Sequence, residues 1–203
     1  MNSANQFSDA KSFRYSLDWR FFLPISEKSR MLYIGESGEE IQAFFQRLNI
    51  NYVSYLENDI VDKIRSLSAS SSTFDIVSIP YTVFSHSTYP EVKKILRPGG
   101  SLLLGFSNLY RSKNENAISL IKLKSLLMKA GFSQIKYYGV FPDQYAPEYI
   151  FPLKLQATKF ALRHRYQYRM KSWLLQTLSF SVFLFALSYF LPAYYVVVKN
   201  DNV

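Results

Sequence analysis

Short apolar segments alternate along this chain with segments whose apolar residues recur at helical spacing. The strand-like segments lie at 31–34, 52–56, 74–79, 102–106 and 134–141. After the first of them, apolar residues at i, i+3, i+4 and i+7 form one helix face, made of Ile41, Phe44, Phe45 and Leu48. This alternation favours an α/β sheet with right-handed crossovers over a sandwich or a helix bundle.

The remaining pattern predicts three more helices, around 60–67, over 90–96 and over 118–130. Gly131 follows the last of them, at the position where helices take a left-handed cap. Residues 68–73 are rich in serine and predict a solvated loop. The run Arg97-Pro98-Gly99-Gly100 predicts a tight turn before the strand at 102–106.

The first strand runs through a glycine turn into a helix. Gly35, Glu36, Ser37 and Gly38 lie between the two elements, and glycine backbone allows a ligand to approach closely because it has no Cβ. Glu57 lies 22 residues after Gly35, about where dinucleotide-type folds place an acid that takes both hydroxyls of a ribose. Ligands on such sheets bind at the carboxyl ends of the strands, where Ile79-Pro80-Tyr81 is also expected.

The 203 residues are most simply one domain, with a flexible leader over 1–17 and a folded unit over 18–203. The chain has no cysteine, which excludes disulfides and thiolate chemistry, and its only histidines are His86 and His164. Because carboxylates and imidazoles show no metal-ligand spacing, no metal centre is predicted. The polar N-terminus lacks the apolar core of a secretory signal, so a cytoplasmic location is expected.

The net charge of +9 is concentrated near the C-terminus. No acidic residue occurs between 149 and 199, while Lys and Arg recur from 154 to 171, just before an uncharged stretch over 172–198. Three interpretations remain open. In the first, residues 173–191 span a membrane, for which they are long enough. In the second, residues 154–191 lie in the plane of an anionic surface at the inner face of a membrane. In the third, the segment is a buried helix that covers the ligand site. RNA binding fits less well, because the apolar stretch is a poor neighbour for a nucleic-acid groove.

Two further motifs follow in order, Phe74-Asp75-Ile76-Val77 before a loop and Leu96-Arg97-Pro98-Gly99-Gly100 before an apolar strand. Together with the Gly35 turn and the acid at Glu57, they resemble the motifs of class I S-adenosylmethionine-dependent methyltransferases. The resemblance covers about 19–141, with 194–199 as an added strand. It implies a Rossmann-like, mostly parallel α/β sheet with helices on both faces and an antiparallel last strand. The helical basic and apolar insertion at 142–192 would precede that strand.

The resemblance also implies S-adenosylmethionine as the cofactor and a site for it. Backbone contacts would come from Gly35, Glu36, Ser37 and Gly38, the ribose would lie by Glu57 and Asn58, and Ile79, Pro80 and Tyr81 would lie close to the cofactor. His86, in the loop after the third strand, is the nearby general-base candidate. The chain departs from the family pattern at Tyr33, where an acid is usual, and at Ser37 and Glu39, where glycines are usual.

Two functions of different classes follow from these motifs. The first is methyl transfer to an oxygen or nitrogen of a small-molecule, lipid-linked or other membrane-proximal acceptor. The second is a non-catalytic methyltransferase-like scaffold that binds a protein partner, which the departures at Tyr33, Ser37 and Glu39 favour. A nicotinamide-dependent oxidoreductase is less favoured, because the Gly-x-Gly-x-x-Gly spacing is absent.

Overall fold

The computed structural model describes residues 19–22, 26, 28–35, 38–47, 50, 52–56, 58–80, 88–108, 118–141, 147–166 and 191–201. Within these residues the chain forms a short 3₁₀ helix, Trp19–Phe22, together with five α-helices and seven β-strands. The strands are β1 (Arg30–Ile34), β2 (Tyr52–Leu56), β3 (Phe74–Ile79), β4 (Leu96–Ser107), β5 (Gln134–Phe141), β6 (Tyr149–Pro152) and β7 (Ala193–Lys199). The helices are α1 (Glu39–Arg47), α2 (Ile60–Ala69), α3 (Thr88–Ile95), α4 (Leu120–Lys129) and α5 (Leu155–Tyr166).

The seven described strands belong to one sheet, in the order β2-β1-β3-β4-β7-β5-β6. β1 pairs in parallel with β2 and β3, and β3 pairs in parallel with β4. β7 lies between β4 and β5 and runs antiparallel to both, so β5 has the same direction as β4. β6 pairs antiparallel with the outer edge of β5. The prediction of a mostly parallel sheet with an antiparallel last strand is confirmed.

Alternating side chains of the strands build a separate core layer on each face of the sheet. One layer includes Ile64, Val92, Leu123 and Ala161, which come from α2, α3, α4 and α5 in turn. The other layer includes Phe45 of α1. We call these the α2–α5 face and the α1 face. Helices therefore cover both faces, as the sequence predicts.

Polar contacts fasten the amino ends of the parallel strands. Asp75 of β3 accepts hydrogen bonds from the backbone N–H of Arg30 at 2.7 Å and from the guanidinium of Arg97 at 3.0 Å. Arg97 also donates to the hydroxyl of Thr73. Asp75 is the second residue of β3, so this cluster lies at the opposite edge of the sheet from the carboxyl ends. The acid of the Phe-Asp-Ile-Val motif therefore stabilises the fold and does not face the candidate ligand site.

β4 begins earlier than the sequence predicts. Residues 97–100, expected as a tight turn, belong to the strand, whose register with β3 shifts between Phe74 and Ile76. Gly99 keeps a turn-like φ of 75°. The Gly99 N–H donates to the carbonyl of Asn200 at 2.7 Å, and the Asn200 N–H donates to the carbonyl of Gly100 at 2.9 Å. The segment is thus held by the far end of the chain, and local sequence does not show that contact.

Several other boundaries differ from the prediction. α2 continues to Ala69, into the expected serine-rich loop, and α3 begins at Thr88 instead of Pro90. Gly131, with a φ of 84°, follows α4 in the left-handed conformation as predicted.

β6 and α5 lie inside the stretch expected as a basic and apolar insertion. The sequence pattern did not indicate β6, a four-residue edge strand that ends at a proline. The expected leader, 1–17, lies outside the described residues.

Candidate functional site

The carboxyl ends of β1 to β4 meet at one edge of the sheet. Ile34 pairs with Leu56 of β2, and Ile79 at the end of β3 pairs with Leu104 of β4. The segments that follow β1, β2 and β3 therefore begin side by side, while β4 continues past Leu104 to Ser107 before its own segment begins. Four segments that carry candidate site residues or polar groups leave the sheet here, at positions 35, 57, 80 and 108.

The turn from β1 to α1 has a backbone that needs glycine at its first residue. Gly35 has a φ of 149°, a conformation that residues with a Cβ rarely adopt. Gly38 begins the helix, because its carbonyl accepts the N–H groups of Ile41 at 3.0 Å and Gln42 at 3.2 Å. A Cβ at Gly38 would meet no described atom within 4 Å, so no described residue fills the space beside this backbone. Glu39, the first residue of α1, is exposed.

Aromatic side chains lie beneath this turn. Tyr33, at the position where the resemblance has an acid, is fully buried, and its hydroxyl would stand 3.3 Å from a Cβ at Gly35. The Tyr33 ring packs edge-on against Phe45 and Tyr55, with ring centroids 6.2 and 6.0 Å apart. Burial raises the pKa of the Tyr55 phenol above its ordinary value. The side chains packed beneath the turn are therefore aromatic, where the family pattern has a carboxylate.

The segment after β2 turns sharply into α2. Asn58 is exposed, and Asp59 has a φ of 50°, in the left-handed region that aspartate tolerates better than most residues. The carbonyl of Asp59 accepts the N–H of Lys63 at 3.0 Å and so begins the helix. Asn58 is thus placed at the predicted edge of the sheet, with its side chain facing solvent.

The segment after β3 is held against β4. The side chain of Ile79 belongs to the core of the α2–α5 face, and Pro80 is also buried. A Cβ at Gly105 of β4 would stand only 2.1 Å from the carbonyl oxygen of Pro80. Any contact that Ile79 or Pro80 makes with a ligand therefore involves the backbone.

The segment after β4 contains a residue that the sequence analysis did not identify. Asn108 is fully buried, and its side-chain amide donates to the carbonyl of Leu191 at 2.8 Å and to the hydroxyl of Tyr194 at 3.1 Å. Its own N–H donates to the carbonyl of Pro192 at 2.8 Å. Asn108 therefore joins the end of β4 to the point where the basic and apolar stretch returns to the sheet. A single asparagine after an apolar strand is a weak signal, and no spacing rule would have identified it.

Several predicted residues lie outside the described part of the chain: Glu36, Ser37, Glu57, Tyr81 and His86. The described residues thus bring Gly35, Gly38, Asn58, Ile79 and Pro80 to one edge and leave the acid and the general-base candidate as predictions. Most of the uncharged stretch at 173–191 also lies outside; its last residue, Leu191, is buried. Among the helices that are described, none has both the length and the apolar character needed to cross a membrane.

Comparisons with protein families and with curated proteins found no match to this sequence. Solved structures do match. A SAM-dependent methyltransferase from Archaeoglobus fulgidus is 11% identical, with a TM-score of 0.57, over 96% of this chain and 93% of that one. A SAM-dependent methyltransferase of Thermotoga maritima, described as a possible histamine N-methyltransferase, is 14% identical over 96% and 90% of the two chains, with a TM-score of 0.48.

Phosphoethanolamine N-methyltransferase 2 of Haemonchus contortus, solved with S-adenosyl-L-methionine, is 11% identical over 98% of this chain and 59% of that one, with a TM-score of 0.48. At these identities the likeness concerns the fold alone, and it rests on the Archaeoglobus fulgidus structure, whose TM-score exceeds 0.5. The strand order and the glycine turn after β1 agree with it. This chain therefore has the fold of the class I S-adenosylmethionine-dependent methyltransferases.

Proposed function

We propose that this protein transfers a methyl group from S-adenosylmethionine to an oxygen or nitrogen of a lipid-linked or other membrane-proximal acceptor. The observation that carries the proposal is the turn between β1 and α1. Gly35 takes a φ of 149°, and no described atom lies within 4 Å of a Cβ at Gly38, at the edge of the sheet where folds of this kind bind ligands. A turn that served only to connect strand and helix would not need both features.

The residues at this edge fit the cofactor. The backbone from Gly35 to Gly38 would approach its methionine part, Glu57 with Asn58 would take the ribose, and the backbone at Ile79 and Pro80 would line the other side. When bound, S-adenosylmethionine supplies a methyl group on a positively charged sulfur. The protein then has to hold the acceptor in line and exclude water, which accounts for most of the catalysis in such displacements.

A membrane-proximal acceptor is supported by the basic and apolar stretch at 154–191. In its described part, Lys154, Leu155 and Phe160 are exposed, and Phe160 has 72% of its surface accessible. Asn108 joins the return of this stretch to the end of β4, beside the candidate cofactor site. A surface-bound stretch would thereby bring lipid-linked molecules close to that site. His86 remains the proposed general base for an acceptor that must lose a proton.

A second candidate function is a methyltransferase-like scaffold that binds a protein partner and has no catalytic activity. Two observations favour it. Tyr33 is buried among aromatic rings where the family pattern has an acid, and Glu39 opens α1 where a glycine is usual. The two changes lie on either side of the turn that would hold the cofactor, so cofactor binding decides between the two functions.

Calorimetric titration of the full chain with S-adenosylmethionine and with its demethylated product, S-adenosylhomocysteine, tests the proposal. Micromolar affinity for either compound supports a working site, and incubation with radiolabelled donor and extracted membranes then identifies the acceptor. A folded sample, confirmed by a cooperative thermal transition, that binds neither compound would make the scaffold function the better account. ATP serves as the control ligand, because it carries adenosine but no methionine part.

A further inference from the structure

Two helices on the same face of the sheet carry most of the large apolar side chains that the described residues expose. Ile121 and Met128 of α4 are 67% and 58% accessible, and Leu155 and Phe160 of α5 are 39% and 72% accessible. The fifth such residue, Phe21, lies in the 3₁₀ helix near the N-terminus. A single exposed apolar residue needs no explanation, whereas several on one side of a helix can mark an interaction site.

α4 is fixed by its opposite side. Leu120, Leu123 and Leu127 are buried in the core, so the helix cannot turn to bury its outer residues. Ile121 and Met128 are seven positions apart, which places them two turns and about 10 Å apart on one side of the helix. The exposed apolar side of α4 is therefore a stable feature of the surface.

The same surface is basic. Lys122, Lys124 and Lys129 of α4 are exposed and surround Ile121 and Met128. The sequence has no acidic residue between Glu115 and Asp143, and none between Glu148 and Asp201. Two of the acids that bound these intervals lie in the described part of the chain. Asp201 accepts a hydrogen bond from Ser133, and Glu148 lies just before β6. α4 thus presents positive charge with no acid of its own.

We propose that the exposed side of α4 docks on a bilayer that carries anionic lipid. Lysine is depleted where two proteins pack together, but beside a membrane its aliphatic stem lies along apolar surface while its charge reaches the headgroups. Separated apolar side chains with lysines between them match a lipid surface better than a packed protein interface. The inference does not depend on methyl transfer, because vesicle binding measures it directly.

Co-sedimentation of the full chain with vesicles tests the docking surface. The vesicles contain phosphatidylcholine alone or phosphatidylcholine with phosphatidylglycerol. In the test variant, Lys122, Lys124 and Lys129 are all changed to Gln. In the control variant, Lys28, Lys136 and Lys199 are changed to Gln; these lysines are also exposed, and Lys136 of β5 and Lys199 of β7 lie on the α1 face. Both variants remove the same charge.

Since a lysine near an anionic surface is worth about fivefold in affinity, the test variant should bind the anionic vesicles at least ~tenfold more weakly than the wild type. The control variant should lose less than about threefold. A double variant, Ile121→Ser with Met128→Ser, keeps every lysine and should still weaken binding, because lipid contact also buries apolar surface.

Equal losses in the test and control variants would mean that only net charge matters and would overturn the proposal. Full binding by the test variant would also overturn it and leave 154–191 as the contact. If the wild type binds neither kind of vesicle, the surface does not bind lipid, and an acidic protein becomes the occupant to search for. Calorimetry with S-adenosylmethionine is independent of all three outcomes, so failure here leaves the proposed reaction standing.

Discussion

The carbonyl oxygen of Pro80 lies so close to Gly105 that a Cβ at residue 105 would stand 2.1 Å from it. Gly105→Ala should therefore push the segment after β3 away from the sheet. We expect a loss of about 1–3 kcal/mol in the free energy of unfolding, as for other overpacked positions, and a loss of S-adenosylmethionine affinity in the molecules that remain folded. Urea unfolding and calorimetry measure the two effects.

Gly100→Ala is the matched control, because a Cβ there would stand 2.8 Å from the carbonyl oxygen of Arg97, at the opposite edge of the sheet. It should cost stability without changing affinity. Equal affinity losses for the two variants would show that the Pro80 segment has no special connection with the ligand.

The turn after β1 offers a second matched pair. Gly35→Ala puts a Cβ into a backbone with a φ of 149°, whereas Gly38→Ala adds a methyl group that meets no described atom within 4 Å. We expect about 1–3 kcal/mol of destabilisation for Gly35→Ala and under about 1 kcal/mol for Gly38→Ala. Gly38→Ala should nevertheless lower the affinity for S-adenosylmethionine, because the new methyl group occupies the space that the cofactor needs. Two variants with the same stability would contradict the strained turn.

The sheet was largely predictable because its strands carry local signals. Buried parallel strands such as β1 and β3 are continuous apolar runs, and Gly131 ends α4 where the apolar spacing ends. β6 has neither signal, since it is four residues long and depends on pairing with β5. The beginning of β4 depends on Asn200, which lies a hundred residues away in the sequence. What could not be predicted is the structure that long-range pairing imposes.

The candidate site was predictable to the same extent. Motifs placed Gly35, Asn58 and Pro80 at one edge, because parallel strands bring their carboxyl ends together. The role of Asp75 at the opposite edge was not evident, since the Phe-Asp-Ile-Val motif does not say which groups its acid meets. Asn108 was also not identified, because its partners Leu191 and Tyr194 come from the last part of the chain.

Glu57 can be tested although it lies outside the described residues. If it holds the ribose, Glu57→Gln should weaken S-adenosylmethionine binding about tenfold or more, as expected when hydrogen bonds to a charged acceptor are lost. Asp62→Asn removes the same charge from an exposed position in the first turn of α2 and should leave the affinity unchanged. Calorimetric titration of both variants measures the difference. Unchanged affinity in Glu57→Gln would remove that residue from the site.

Glu91 on α3 predicts a small dependence of stability on pH. Hydrogen bonds from Lys94 and then from Ser68 hold the pKa of Glu91 below its ordinary value, which also links α3 to α2. The folded pKa is lower than the unfolded one, so this contribution is present above the unfolded pKa and is lost as the pH falls through the folded pKa. Because solvent screens the pair, we expect under about 1 kcal/mol.

Carboxyl NMR titration measures the pKa of Glu91 directly. Lys94→Gln should move it upward, towards the ordinary value, because the first of its two hydrogen-bond partners loses its charge. Lys63→Gln, on α2, serves as the charge control. A pKa of Glu91 that stays the same in Lys94→Gln would show that the pair does not form in solution.

Asn200 holds the beginning of β4, and its loss should affect the whole sheet. The buried side-chain amide donates to the carbonyl of Leu96 at 2.8 Å and to that of Arg97 at 3.3 Å. Asn200→Ala leaves these carbonyls without that donor, so we expect the free energy of unfolding to fall by about 1–3 kcal/mol.

Asn200→Asp should cost at least as much stability at neutral pH, since it sets a carboxylate against the same carbonyl oxygens. Asp201→Ala, an exposed change one residue away, should cost less than about 1 kcal/mol. Urea unfolding compares the three variants at a common m-value, and an Asn200→Ala midpoint equal to that of the wild type would show that β4 is held without this contact.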